Sequence, residues 1–409
     1  MKVDLDLRVH HLTRVEGHGN IRVRVQAGVV TEASWQVVET PRYFEAMLKG
    51  KHFTMAGLLA ARICGICSIG HCLAAQRATE AAFGIVVPPA AARLRLLAKH
   101  GETLQSHWLH LFFLVAPDLL DRTDILPGPK SDSAIFNLAR RLKGVANRLS
   151  EAIAGRSVHP VALQVGGVSI VPGRDRLADL RDELTASLAD IAAAADFFAG
   201  CPLPEFRRET EFVSLQGEDS YPWIGGRLIS SDGVETDESD YLAMTNEYVT
   251  PDNTSKWCRL SRPSFAVGAL ARCHNNFRLL DPAARAMADR FGLAPGCHNP
   301  FMNNIAQLVE CVQITHEAIR LLNELLDQPA GPTLVPVAPG PAAASPPSRS
   351  PGASSTTATS TMATATSGGP TASSPPPRTT PTFTSICPNW CASTPPASPT
   401  ESWKSSAQC

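Results

Sequence analysis

The sequence has 409 residues with 37 basic and 38 acidic side chains, and its formal net charge of −1 gives no electrostatic reason to expect nucleic acid or an anionic membrane as partner. At 44% apolar it can bury a large core, yet no apolar run is long enough to span a bilayer, and the start, Met1 to Asp6, has no apolar signal region, so the expected compartment is the cytoplasm. Eleven cysteines in a chain of this size do not read as a small disulfide scaffold but as reduced thiols, some of them candidates for metal binding.

The first regular pattern alternates: Ile21, Val23 and Val25 face one way, Arg22 and Arg24 the other. Ala27-Gly28 then precedes a second run through Trp35, Val37 and Val38, which predicts a β-hairpin. From about residue 53 the period becomes helical. Leu94, Leu97, Gly101, Leu104, Trp108, Leu111 and Val115 step by three and four and predict one long buried helix. Residues 132–154 and 175–198 predict two more. A last helix, 301–326, repeats at Ile305, Leu308, Val312, Thr315, Ile319, Leu322 and Leu326, close to a heptad stripe. Residues 200–262 are richer in Gly, Pro, Ser and Asp and read as an irregular excursion. The expected class is α+β, mainly helical: a long-helix bundle with a β-hairpin or small sheet at the N-terminal end.

The composition then breaks. Residues 331–409 carry only four charged side chains, Arg349, Arg378, Glu401 and Lys404, and one leucine, Leu334, but 16 of the 33 prolines. A segment made mostly of Ala, Ser, Thr, Pro and Gly cannot bury enough apolar surface to offset its ordering entropy, so disorder is expected there. The chain thus divides into a domain, 1–330, and a low-complexity tail, 331–409.

The residues that suggest chemistry are Arg62-Ile63-Cys64-Gly65-Ile66-Cys67, with His71 one turn further on. A Cys-x-x-Cys turn running into a helix aims two sulfurs at one point, close to N-terminal amides that favour thiolate. His71 falls on the same helical face as Cys67. Read alone, the pair fits a redox dithiol, half of a zinc site or a buried structural pair. A zinc ribbon needs a second pair, and a thioredoxin-like motif needs a βαβ setting that the helical context does not offer. Cys72, Cys201, Cys258, Cys273, Cys297 and Cys311 lack partner spacing and read as buried or incidental thiols. His107 and His110 read mostly as packing.

The surrounding segments add a frame. Thr13-Arg14-Val15-Glu16-Gly17-His18 precedes the hairpin and Thr40-Pro41-Arg42-Tyr43-Phe44-Glu45 follows it, and Leu104-Gln105-Ser106-His107-Trp108-Leu109-His110 lies beyond the cysteine pair. Together, in this order over residues 5 to about 330, they resemble the large, catalytic subunit of nickel–iron hydrogenases, with most likeness to the cytoplasmic group that couples H2 to NAD(P), to the deazaflavin F420 or to other carriers. The resemblance implies reversible heterolytic cleavage of H2 at a nickel–iron centre held by four thiolates, the iron carrying CO and cyanide. Under it, Cys64 resembles the terminal nickel ligand and Cys67 the ligand bridging nickel and iron. His71 resembles the histidine that hydrogen-bonds the bridging sulfur, Glu16 the carboxylate that relays protons, and Glu45 a ligand of a Mg2+ site. It further implies an iron–sulfur small subunit and flavoprotein or other electron-transfer subunits as partners. Soft thiolates suit nickel and low-spin iron, and a thiolate with a nearby carboxylate can take and pass a proton.

The family's closing motif, roughly Asp-Pro-Cys-x-x-Cys-x-x-His, is absent from the 409 residues. Cys387 and Cys391 have the wrong spacing, Cys409 stands alone, and no histidine follows His316. An arginine segment of the Ala-Pro-Arg-Gly type is also missing. The tail reads as a shifted frame: codons compatible with residues 345–362 and 379–394, moved back one nucleotide, permit family-like stretches, including one with the arginine. A GC-rich gene read out of frame yields Ala, Pro, Ser and Thr, which explains why charge and leucine vanish together. On that reading the chain as written is inactive. Two other classes stay open on the residues alone: a complex I-like relative, from which the first cysteine pair is generally lost, and a zinc or redox Cys-x-x-Cys protein with a natural disordered tail.

Overall fold

The computed structural model describes residues 4–122, 133–327 and 331–337, apart from Arg14, Glu16 and Asp252. The N-terminal hairpin forms as expected and gains a third strand. β1 (Leu5–Val9), β2 (Gly19–Gln26) and β3 (Val29–Val37) make an antiparallel sheet in the order β1-β2-β3. Ala27 and Gly28 both take positive φ, 52° and 81°, the mirror-type turn whose twist matches that of paired strands. The register skips one residue beyond Arg24, where Arg24 faces Glu32 but Val25 faces Val30. Asp6, Arg8, Arg22, Arg24 and Glu32 fall on one face. There the Arg22 and Arg8 guanidinium groups hold the Asp6 carboxyl well below the usual carboxylate range.

Helices follow: α1 (Tyr43–Leu48), α2 (Thr54–Ala60), α3 (Ser68–Phe83) and α4 (Pro89–Leu109). The long helix expected through Val115 is α-helical only to Leu109. His110–Val115 continue in the wider π form, and α5 (Ala116–Leu119) closes the run. The cause is Pro117, which offers no N–H and whose ring crowds the carbonyl four residues back, so the hydrogen-bond ladder widens before it. α6 (Ser133–Ala154) and α7 (Arg174–Ala199) match the two expected helices closely, and between them β4 (Leu163–Gln164) pairs with β5 (Gly167–Val168).

Residues 200–262 are more regular than their composition suggested. β6 (Glu211–Gln216), β7 (Arg227–Ser230) and β8 (Glu235–Thr236) form a sheet that also takes up β11 (Phe265–Ala266), parallel to β6, in the order β11-β6-β7-β8. α8 (Tyr241–Thr245) and the small hairpin of β9 (Tyr248–Val249) and β10 (Lys256–Trp257) fill the interval. Val213, Leu215, Leu228, Tyr241, Met244 and Phe265 close a second core there. Strands this short carry too few alternations to be read from periodicity.

α9 (Ala269–Asn276), α10 (Pro282–Arg290) and α11 (Met302–Asp327) complete the helices. The α11 stripe is buried along Ile305, Leu308, Val312, Thr315, Leu322 and Leu326, as the heptad spacing requires. α4 lies against α6 and α11, and α7 against the same two helices. The described part of the expected tail is ordered at its start. Val168 N–H donates to the Thr333 carbonyl at 2.7 Å, and Val335 N–H to the Gly166 carbonyl at 3.1 Å. The expected disorder of residues 338–409, with Cys387, Cys391 and Cys409, lies outside the described residues.

His107 and His110 do more than pack. Along the antiparallel contact of α4 with α11, His107 Nε2 meets Glu310 at 2.8 Å, His110 Nδ1 meets Gln307 at 2.7 Å, and His100 Nε2 lies 3.5 Å from Glu317. Burial pushes the Glu310 carboxyl up, but Arg272 and His107 outweigh it and hold its pKa down to about 2. Glu317 behaves in the opposite way. Burial pushes it up to about 7, although the Trp223 indole N–H donates to it at 2.9 Å and Arg320 sits nearby.

Folding therefore makes Glu317 hold its proton more tightly. The stability that this proton contributes is fully present below the ordinary value of 4.5 and is lost as pH rises through about 7. Glu317→Gln should match the parent near pH 4 and exceed it near pH 8 by at most about 3 kcal/mol in urea unfolding. A difference between the two proteins that does not change with pH would show that Glu317 stays ionised throughout.

Candidate metal centre

The chain segment 61–67 links α2 to α3 and carries both cysteines. Cys67 sits at the cap position of α3 and is 2% exposed; Cys64 is 7% exposed. The Cys67 N–H points at Cys64 Sγ, 3.4 Å away, and the two thiols hydrogen-bond each other. That contact and burial, with the Glu102 carboxylate nearby, raise the Cys67 pKa well above its ordinary value, with Lys99 opposing. The sulfurs thus lie side by side, as the Cys-x-x-Cys spacing predicts.

The first amides of α3 are not spare. Glu102, on α4, accepts from Ile69 N–H at 2.6 Å and from Gly70 N–H at 3.0 Å. These are the donors that the sequence suggested would favour thiolate, and a carboxylate takes them instead. Glu102 is 1% exposed and is neutralised by Lys99 Nζ at 2.8 Å, itself buried. One turn along α4, Gln105 Nε2 donates to the Ile66 carbonyl at 2.7 Å, while its Oε1 accepts from Lys143 at 3.2 Å. On the other flank, His159 N–H donates to Ser68 Oγ and its Nδ1 takes the Ala61 carbonyl, both at 2.9 Å. The cysteine loop is therefore gripped from two sides by four residues, Lys99, Glu102, Gln105 and His159, to which the sequence reading gave no role. The sequence offered little signal for them: Lys99 and Glu102 lie off the apolar stripe of α4, where charged residues are ordinarily read as solvated, and only their spacing of three suits an ion pair.

His71 lies one turn into α3, its N–H on the Cys67 carbonyl at 3.2 Å. The imidazole keeps some accessible surface but is packed round by protein atoms. That burial, with the Lys99 ammonium, pushes its pKa down to about 3, so the ring is neutral. A neutral ring can donate from one nitrogen and accept at the other. Cys72, on the buried side of α3, accepts from Gln76 Nε2 at 3.1 Å, and burial pushes its thiol up to about 12. It is an inert core thiol, as expected.

Glu16 lies outside the described residues. Glu45, in the first turn of α1, has its Oε1 2.6 Å from Lys256 Nζ. Burial would lower the Lys256 pKa, but Glu45 and Glu247 outweigh it and raise it. Among the described residues, no cluster of three or more His, Cys, Asp or Glu side chains is arranged to hold a metal ion. No helix among them is long and apolar enough to cross a membrane.

The family described as nickel-dependent hydrogenase matches residues 42–152, the stretch that holds Glu45, Cys64, Cys67 and His71, and the family described as HoxL-like matches residues 6–40. The chain is similar to the alpha subunit of sulfhydrogenase 1 from Pyrococcus furiosus, 30% identical over 327 residues, which span 79% of this chain and 76% of the relative. It is 26% identical over 367 residues to the beta subunit of the NAD-reducing hydrogenase HoxS from Cupriavidus necator, 79% and 74% of the two chains. Its fold matches a crystal structure of an NAD+-reducing NiFe hydrogenase in the H2-reduced state with a TM-score of 0.66 at 29% identity, over 81% of this chain and 79% of the other.

Proposed function

The chain belongs to the nickel-dependent hydrogenase family, as a homologue of its alpha or large subunits, and from that premise we propose that residues 1–330 are the greater part of a catalytic subunit for reversible cleavage of H2. The family's centre contains nickel and iron and supplies the chemistry that splits H2. The observation that carries the reading is the pair of touching thiols, Cys64 and Cys67, held rigidly at the start of α3 with His71 one turn away. Soft sulfur donors suit nickel, and a locked loop keeps both aimed at one ion. In this reading Cys64 and Cys67 would hold the nickel–iron centre, Cys64 as a nickel ligand and Cys67 as a ligand shared with iron, His71 would steady the Cys67 sulfur, and Glu16 would move protons.

The residues present do not complete the centre. Two cysteine sulfurs stand where four are needed, and no third donor joins them among the described residues. We take the chain as written to hold no complete cluster and to have little or no hydrogenase activity, its closing Cys-x-x-Cys replaced by out-of-frame sequence. The intact subunit would pass electrons to an iron–sulfur small subunit and on, through flavoprotein or other partners, to a carrier in the cytoplasm. NAD(P) is favoured by the similarity to NAD-reducing relatives. Sequencing the gene across residues 328–348 and onward tests the frame: the neighbouring frame should encode an arginine segment and a closing Cys-x-x-Cys. A neighbouring frame with neither would refute the slip.

A further inference from the structure

We infer that Lys256 is the built-in cation of a carboxylate pair, Glu45 and Glu247, and that its ammonium occupies the place that the family resemblance gives to Mg2+. The inference does not depend on the nickel reading, because it concerns a different part of the fold. Lys256 Nζ lies 2.6 Å from Glu45 Oε1 and 3.3 Å from Glu247 Oε2. Lys256 opens β10, Glu247 directly precedes β9, and Glu45 is on α1. The side chains are 16%, 10% and 33% exposed, so the group is only partly screened by water.

Two carboxylates facing each other repel and call for a positive charge between them. A divalent ion could supply it, since Mg2+ is commonly held by one or two carboxylates with its remaining positions filled by water. Here the position is taken. An ammonium on a flexible stem donates to both oxygens, and Mg2+ would have to displace it against its charge. The place explains why a fixed cation is useful. The turn joining β9 to β10 is also where the end of β3 is tied down: Val37 N–H donates to Asn253 Oδ1 at 2.6 Å, and Thr254 N–H to the Val37 carbonyl at 3.2 Å. Lys256 thus fastens α1 to the same hairpin that holds the N-terminal sheet, and fastens it without a metal.

The test uses the full chain, with Mg2+ alone as the probe, at constant ionic strength. Thermal unfolding of the parent should be the same in millimolar MgCl2 and in EDTA, and calorimetric titration should show no Mg2+ binding. Lys256→Met should unfold at a lower temperature and should gain both Mg2+ binding and partial recovery of its midpoint. A parent that is stabilised by Mg2+ and weakened by EDTA would overturn the inference, as would a Lys256→Met protein as stable as the parent. Should Lys256→Met not fold, Glu45→Gln serves in its place. It should unfold earlier by the same margin in MgCl2 and in EDTA, and a margin that appears only with Mg2+ would overturn the inference.

Discussion

Expressed together with a small subunit and a full set of nickel–iron maturation proteins, the chain as written should show no H2-dependent reduction of a viologen dye above background. The reasoning is coordinative. On the proposed assignment the centre would need four thiolates, and Cys64 and Cys67 would supply two of them. Enzymes of this kind owe many orders of magnitude in rate to their metal centre, so losing half its ligands leaves no partial activity to detect. Cys64→Ser in the chain as written should therefore change nothing. H2 turnover by the chain as written, abolished by Cys64→Ser, would mean that the second half of the site comes from residues other than the missing pair.

A large effect on stability is expected at Glu102. Its carboxylate caps α3 through Ile69 and Gly70 and neutralises Lys99 in a site closed to water. Glu102→Ala leaves a buried ammonium without its partner and two amides without acceptors, and should cost about 3–5 kcal/mol in urea unfolding. The cysteine loop should loosen with it, so Cys64 and Cys67 should react faster with a thiol reagent. The double variant Lys99→Met/Glu102→Leu removes both charges and should recover much of the ion-pair loss, while the thiols stay more reactive because the cap is still gone. A Glu102→Ala protein within about 1 kcal/mol of the parent would place the grip on the loop elsewhere.

The parts of the fold legible in the sequence are those set by local periodicity. The hairpin around Ala27-Gly28 and the stripes of α4 and α11 follow from which residues must face inward. The π segment at His110–Val115 escaped because its cause, Pro117, acts backward along the helix. The sheet of β6, β7, β8 and β11 escaped because β8 and β11 are only two residues long and β11 joins β6 from far along the chain. The site divides in the same way. Cys64, Cys67 and His71 are neighbours in the chain, and spacing alone brings them together. Glu102, Gln105 and His159 reach the cysteine loop through tertiary contacts, and Lys256 reaches Glu45 from a distant part of the chain. Nothing in a local pattern announces such partners, since Lys99 and Glu102 stand in a polar stretch off the apolar stripe of α4 and look like solvated charges.

The most direct measurement is nickel per chain after co-expression with the maturation proteins, compared for the chain as written, the same gene with its reading frame restored near residue 330, and the restored gene carrying Cys64→Ser. The expected result is stoichiometric nickel in the restored chain alone. Stoichiometric nickel in the chain as written, or undiminished nickel in the Cys64→Ser protein, would contradict the assignment of Cys64 and Cys67 as one half of a four-thiolate site.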